Sequence, residues 1–147
     1  MQIKGEWLTC DDGVTRPVAI AHLPDADGKP RAERFLVDSG ADRTVLSASI
    51  LAKLKLAPVQ PPEGSGLVGV GGRTPYVLIA AVLVFAREGG GFARVRGEFA
   101  AFSELSATDF SVLGRDILNN FDVILSRPRS ELLHLAPNHR YLVTELP

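Results

Sequence analysis

A chain of 147 residues, 46% of them hydrophobic, has material for one domain with a real core, read as a single domain over 1–147. Its net charge is -1 and no basic face stands out, so no nucleic-acid partner is expected. Its longest apolar run, Val77 to Ala86, is far short of the ~18 residues that span a bilayer, so no membrane partner is expected.

Along the chain, Met1 to Cys10 lacks an apolar stretch of signal-peptide length, and the lone Cys10 has no internal disulfide partner. Both features predict a cytoplasmic location. Arg16 to Leu23 reads as a strand, and the turn residues Asp25-Ala26-Asp27-Gly28-Lys29-Pro30 predict a hairpin to Arg34–Asp38. Thr44 to Leu46 is a further short strand. Ser47 or Ser49 caps a helix through Leu54 that presents Ile50, Leu51 and Leu54 on one face. Pro58, Pro61 and Pro62 follow, then the glycine-rich Leu67 to Gly72. Tyr76 to Arg87 and Phe92 to Phe102 read as long strands joined by Glu88-Gly89-Gly90-Gly91, and Ser111 to Leu113 as a short one. Arg115 to Phe121 reads as a brief helix; Asp122–Ser126 and Glu131–Leu135 read as a hairpin around Arg127-Pro128-Arg129-Ser130. Many short strands and little helix predict a closed or sandwich-like all-β fold.

Chemistry concentrates in Phe35-Leu36-Val37-Asp38-Ser39-Gly40-Ala41-Asp42-Arg43-Thr44-Val45-Leu46, where an apolar strand delivers an aspartate into a Ser-Gly turn and a second apolar strand follows. Alone, such a turn reads as an aspartate bonding its own backbone. Two further segments accompany it: Leu67-Val68-Gly69-Val70-Gly71-Gly72-Arg73, suited to a hairpin tip free of obstructing side chains, and Val112-Leu113-Gly114-Arg115-Asp116-Ile117-Leu118. The glycines lack dinucleotide-fingerprint spacing. His22, His134 and His139 are scattered, so no metal site is expected.

In this order, the three segments resemble the retropepsin family of retroviral-type aspartic proteases, over roughly Arg34 to Phe121. The resemblance implies a closed β-barrel-like acid-protease fold with one or two short helices and a glycine-rich flap. It implies Asp38 as the catalytic carboxylate, Ser39 tying two active-site loops together across a dimer, and Gly40 leaving room for water and substrate. Substrate contacts are implied at Ala41, Asp42, Val45, Val70, Gly71, Gly72, Phe110 and Val112. Arg115 would pair with Asp42 and fix the catalytic turn. The chain offers one Asp-Ser/Thr-Gly, since Asp11-Asp12-Gly13 and Asp25-Ala26-Asp27-Gly28 lack the Ser/Thr. The second carboxylate must then come from another copy, which makes the expected partners a homodimer and a peptide substrate, with no cofactor. The segment after Phe121 departs from compact viral members, and its two strands are candidates for a different dimer sheet. The competing readings are a catalytically silent dimerisation or peptide-binding module of the same fold, and an unrelated β-barrel binding protein.

Overall fold

Period-two alternation shapes the longest hairpin. In β8 (Tyr76–Ala86) Ile79, Ala81, Leu83 and Phe85 are buried while Ala80 and Ala86 are exposed. Its antiparallel partner β9 (Phe92–Phe102) turns Arg94, Arg96 and Glu98 to solvent and buries Phe99, Ala100 and Ala101. The structure, a computed structural model, describes residues 1–69, 72–104 and 110–137.

A second hairpin joins β3 (Thr15–Pro24) to β4 (Pro30–Val37). Its turn is organised by Asp25, only 4% exposed, whose carboxylate accepts from the backbone N–H groups of Asp27 and Lys29 at 3.0 and 2.9 Å and from the Arg31 guanidinium at 2.8 Å. Burial pushes that carboxyl's pKa up, but Arg31 and the two N–H groups outweigh it and hold it below the ordinary carboxylate value.

With β5 (Val45–Leu46) and β10 (Ser111–Leu113), six strands close in the order β3-β4-β10-β5-β9-β8, the pairing of His22 with Val84 returning β8 to β3. Closure removes the open edges of a sheet. The interior holds Leu23, Phe35, Leu46, Ile79, Leu83 and Phe85. β2 (Glu6–Thr9) adds to the outside of β3. A separate sheet of β1 (Gln2–Lys4), β12 (Glu131–Leu135) and β11 (Asp122–Ser126), in the order β1-β12-β11, joins the core through Ile3 and Leu132. β1 and β2 carry no strand signal that the sequence reading detected.

Of the two candidate caps for α1 (Ala48–Leu54), Ser47 takes the role: its Oγ accepts from the Ile50 N–H at 3.2 Å, while Ser49 is exposed. The helix buries Ala48, Ile50 and Leu54, and Leu51 packs at the margin. α2 (Arg115–Leu118) is shorter than the expected run to Phe121. Its last turn tightens to bonds from Asn120 to Ile117 and from Phe121 to Leu118, and the Asn120 side chain donates to the Ile117 carbonyl at 2.9 Å. Among the described residues no helix is long and apolar enough to cross a membrane.

His134 is 2% exposed in β12, edge-on to Phe121 with ring centroids 5.9 Å apart. Among the described residues neither ring nitrogen has a hydrogen-bond partner. Burial lowers its pKa, only partly offset by the nearby Ile3 backbone.

Candidate active site

The sheet order builds an arch. β4 and β5 are consecutive in sequence, yet β10 lies between them, parallel to β4 (Val37 opposite Leu113) and antiparallel to β5 (Val45 opposite Val112). Residues 38–44 must therefore cross over the end of β10. Four consecutive residues beneath fasten the crossing. Leu113 C=O accepts from the Asp38 N–H at 3.1 Å, and Gly114 N–H donates to Thr44 Oγ1 at 3.1 Å. Arg115 N–H donates to Ala41 C=O at 2.8 Å, and Asp116 N–H to Asp42 C=O at 3.3 Å. Gly114 has an ordinary φ of -95°, so its need is for space: a Cβ there would sit 2.4 Å from the Arg43 carbonyl carbon.

Asp38 begins the arch, half-buried, with its Oδ1 accepting from the Gly40 N–H at 2.8 Å and its C=O accepting from Ala41 N–H at 3.2 Å. This is an Asx-type turn that fixes one carboxylate oxygen and, among the described residues, leaves the other without a hydrogen bond. Ser39 is exposed.

Asp116, which the sequence reading did not single out, holds the far end. Its Oδ1 and Oδ2 accept from the Thr44 N–H at 2.9 and 3.0 Å, and Oδ1 also accepts from the Thr44 hydroxyl at 2.7 Å. Thr44 is 1% exposed, so these bonds replace water that cannot reach it. Beside it, Arg115 donates to Asp42 Oδ1. That pair is largely open to solvent, with side chains 52% and 79% exposed, which limits its worth to about 1 kcal/mol or less. A third tie joins the strands behind the arch: Glu33 Oε1 accepts from Ser47 Oγ at 2.9 Å and from Ser111 Oγ at 2.6 Å. Thr44, Asp116, Glu33 and Ser111 show no shared motif, and an acidic residue in a helix's first turn was the one sequence cue to Asp116.

The arch forms one wall of an open cleft of about 570 Å³. Asp38, Gly40, Ala41 and Asp42 line it, together with Val45 and Val112 from the strands on either side of the crossing. The opposite wall is the hairpin of β6 (Leu67–Gly69) and β7 (Gly72–Thr74), with Gly69 opposite Gly72. Gly72 lines the cleft with φ of +100°, a backbone region that suits glycine. The base of the hairpin is braced by Arg73, which donates to the Gly64 carbonyl at 3.0 Å. Val70 and Gly71, expected to contact substrate, lie outside the described residues. Phe110 is not on this cleft: in the single chain it lines two other cavities with Leu8 and Arg34. It stands at a bend one residue before β10, so strand alternation does not carry it to the face of Val112.

The cleft is in the size range of small-molecule and peptide sites and offers a carboxylate on a rigid mount between apolar walls. Among the described residues no group of three or more His, Cys, Asp or Glu side chains is arranged to hold a metal. A solved retropepsin-like aspartic protease from Rickettsia conorii matches the fold with a TM-score of 0.52 at 16% identity, covering 91% of this chain and 89% of that one. The EIAV protease, solved with the inhibitor HBY-793, gives a TM-score of 0.49 at 24% identity, covering 76% of this chain and 92% of that one. No family model matches the chain, and no curated protein matches it in sequence. The fold is retropepsin-like: a mostly β chain with a closed six-stranded barrel and two short helices.

Proposed function

We propose that this chain is the single-aspartate half of an aspartic endopeptidase, a single domain that assembles as a homodimer with one Asp38 from each copy in a shared site. The observation that carries the reading is the mount of Asp38. An apolar strand ends at it, the Leu113 carbonyl and the Gly40 N–H fix its backbone and one carboxylate oxygen, and it lines a cleft walled by a glycine-bearing hairpin.

Two carboxylates side by side share one proton, because two like charges at close range do not both ionise readily. The ionised member accepts a proton from water, and the water oxygen attacks the scissile carbonyl carbon. The protonated member donates to the carbonyl oxygen, giving a tetrahedral diol. Collapse of the diol breaks the C–N bond as the amine nitrogen takes a proton from the dyad. Gly40, without a side chain, leaves room for the water, and Ser39 ties the two arches together. Ala41, Asp42, Val45 and Val112 line the peptide's path, and the β6–β7 hairpin acts as the flap, with Val70, Gly71 and Gly72 over the peptide.

The test is cleavage of a capped peptide library, read by mass spectrometry, with purified wild type and Asp38→Asn. Wild type should cut, and the nearly isosteric variant should keep its fold and lose about 100-fold or more in rate, the span of lost acid–base catalysis. Equal cleavage by the two would remove Asp38 from the mechanism.

A further inference from the structure

Among the described residues Arg43 is the one basic side chain on the wall of the Asp38 cleft, and the other charged residues lining it are the carboxylates Asp38 and Asp42. Asp42 already has a cationic partner in Arg115. Arg43 has none: among the described residues it makes no ion pair and no side-chain hydrogen bond. It is exposed, with the apolar Val45, Leu67 and Val112 on the same cleft.

The mount of Arg43 is as rigid as that of Asp38. The residue before it gives its carbonyl to the Asp116 N–H, and the residue after it gives its N–H to the Asp116 carboxylate. Gly114 packs directly beneath, so close that a Cβ would meet Arg43 backbone atoms at 2.4 and 2.5 Å. A guanidinium on a fixed backbone, five residues along the same arch from Asp38 and without an internal partner, is a preorganised fork for a carboxylate. Pairing it with a peptide carboxylate adds an ion pair without breaking one, whereas a basic side chain would be repelled.

We infer that Arg43 is a specificity-determining residue of the cleft and selects peptides with an acidic side chain, Glu or Asp, at one fixed position near the bond aligned with Asp38. This rests on the peptide-cleft reading of the site, but its test does not depend on cleavage.

The probes are capped decapeptide pools, paired so that the two members carry Glu or Gln at one position and are randomised elsewhere. Their affinity for the Asp38→Asn chain is measured by fluorescence anisotropy, position by position. The expected result is one position at which the Glu pool binds about 5–10-fold tighter than the Gln pool at low salt, shrinking as ionic strength rises. Adding Arg43→Gln should erase that difference, and Arg43→Glu should turn the preference to a Lys pool. Thermal melts check that both double variants fold, and Arg43→Gln alone suffices if Arg43→Glu does not. Equal binding of Glu and Gln pools at every position, or a Glu preference that survives Arg43→Gln, would overturn the inference. If wild type cuts peptides in an Asp38-dependent way without any acidic preference, the protease reading stands and the Arg43 assignment falls. If the acidic preference is found but nothing is cut, the protease reading falls and the Arg43 assignment stands.

Discussion

Removing the Asp116 carboxylate should unfasten the arch that carries Asp38. Asp116→Ala deletes the acceptors of the Thr44 N–H, bonded at 2.9 and 3.0 Å, and of the Thr44 hydroxyl, bonded at 2.7 Å. Thr44 is 1% exposed, so water cannot take over. A buried donor left unpaired costs ~1–3 kcal/mol, and here the N–H is orphaned outright while the hydroxyl still accepts from Gly114. The expected loss is therefore ~2–4 kcal/mol, a large share of the 5–15 kcal/mol that typically holds a domain together. At about 2–4 °C per kcal/mol for a chain of this length, a loss of ~3 kcal/mol lowers Tm by roughly 6–12 °C. Asp116→Asn keeps one acceptor oxygen and should lose only ~1 kcal/mol. Arg115→Ala is the contrast: the Arg115–Asp42 pair is mostly exposed in this chain and should cost under about 1 kcal/mol. Urea denaturation and thermal melts of the three variants give the order directly. If Arg115→Ala proves as damaging as Asp116→Ala, or Asp116→Ala melts like wild type, the assignment of Asp116 as the clasp is wrong.

Two further perturbations probe the scaffold. Gly114→Ala places a Cβ 2.4 Å from the Arg43 carbonyl carbon, under an arch whose two ends are tied, so a loss of at least ~2 kcal/mol is expected; an unchanged melt would show that the arch can lift. Burial lowers the pKa of His134 in the folded chain, whereas in the unfolded chain it titrates near its ordinary value of ~6.5. As pH falls through that value the unfolded state takes up more of a proton than the folded state, so stability should fall as pH drops. His134→Leu removes this proton uptake, so its urea midpoint should fall less than that of wild type between pH 7.5 and pH 5, and parallel curves would exclude the histidine as the cause.

Local chemistry was legible where it acts within a few residues. The strand entering Asp38, the Ser47 cap, the Ser111–Leu113 strand and the Asp122–Ser126 and Glu131–Leu135 pair all carry periodicity or cap signals that neighbours satisfy. What stayed hidden depends on distant partners. β2 is a four-residue strand whose Trp7 Nε1 donates to the Glu131 carbonyl, 124 residues away. The Asp116–Thr44 clasp spans 72 residues, and Glu33 reaches Ser111 across 78. The pair of Arg115 with Asp42 was implied by resemblance, but its exposure was not, because solvent access is set by the assembled surface rather than by the motif. Phe110 shows the same limit from the other side. Position one residue outside a strand says nothing about the face a side chain takes, and this one lines other cavities.

The proposal that two copies of Asp38 make one site is tested most directly by a heterodimer of wild type and Asp38→Asn, co-expressed with two tags, purified through both and assayed on a peptide that the wild-type homodimer cuts. A site built from both carboxylates leaves the heterodimer one ionisable group short, so its rate should lie about 100-fold or more below the homodimer's. A heterodimer with half the homodimer's rate would mean that each chain carries a complete site, and would contradict the shared dyad.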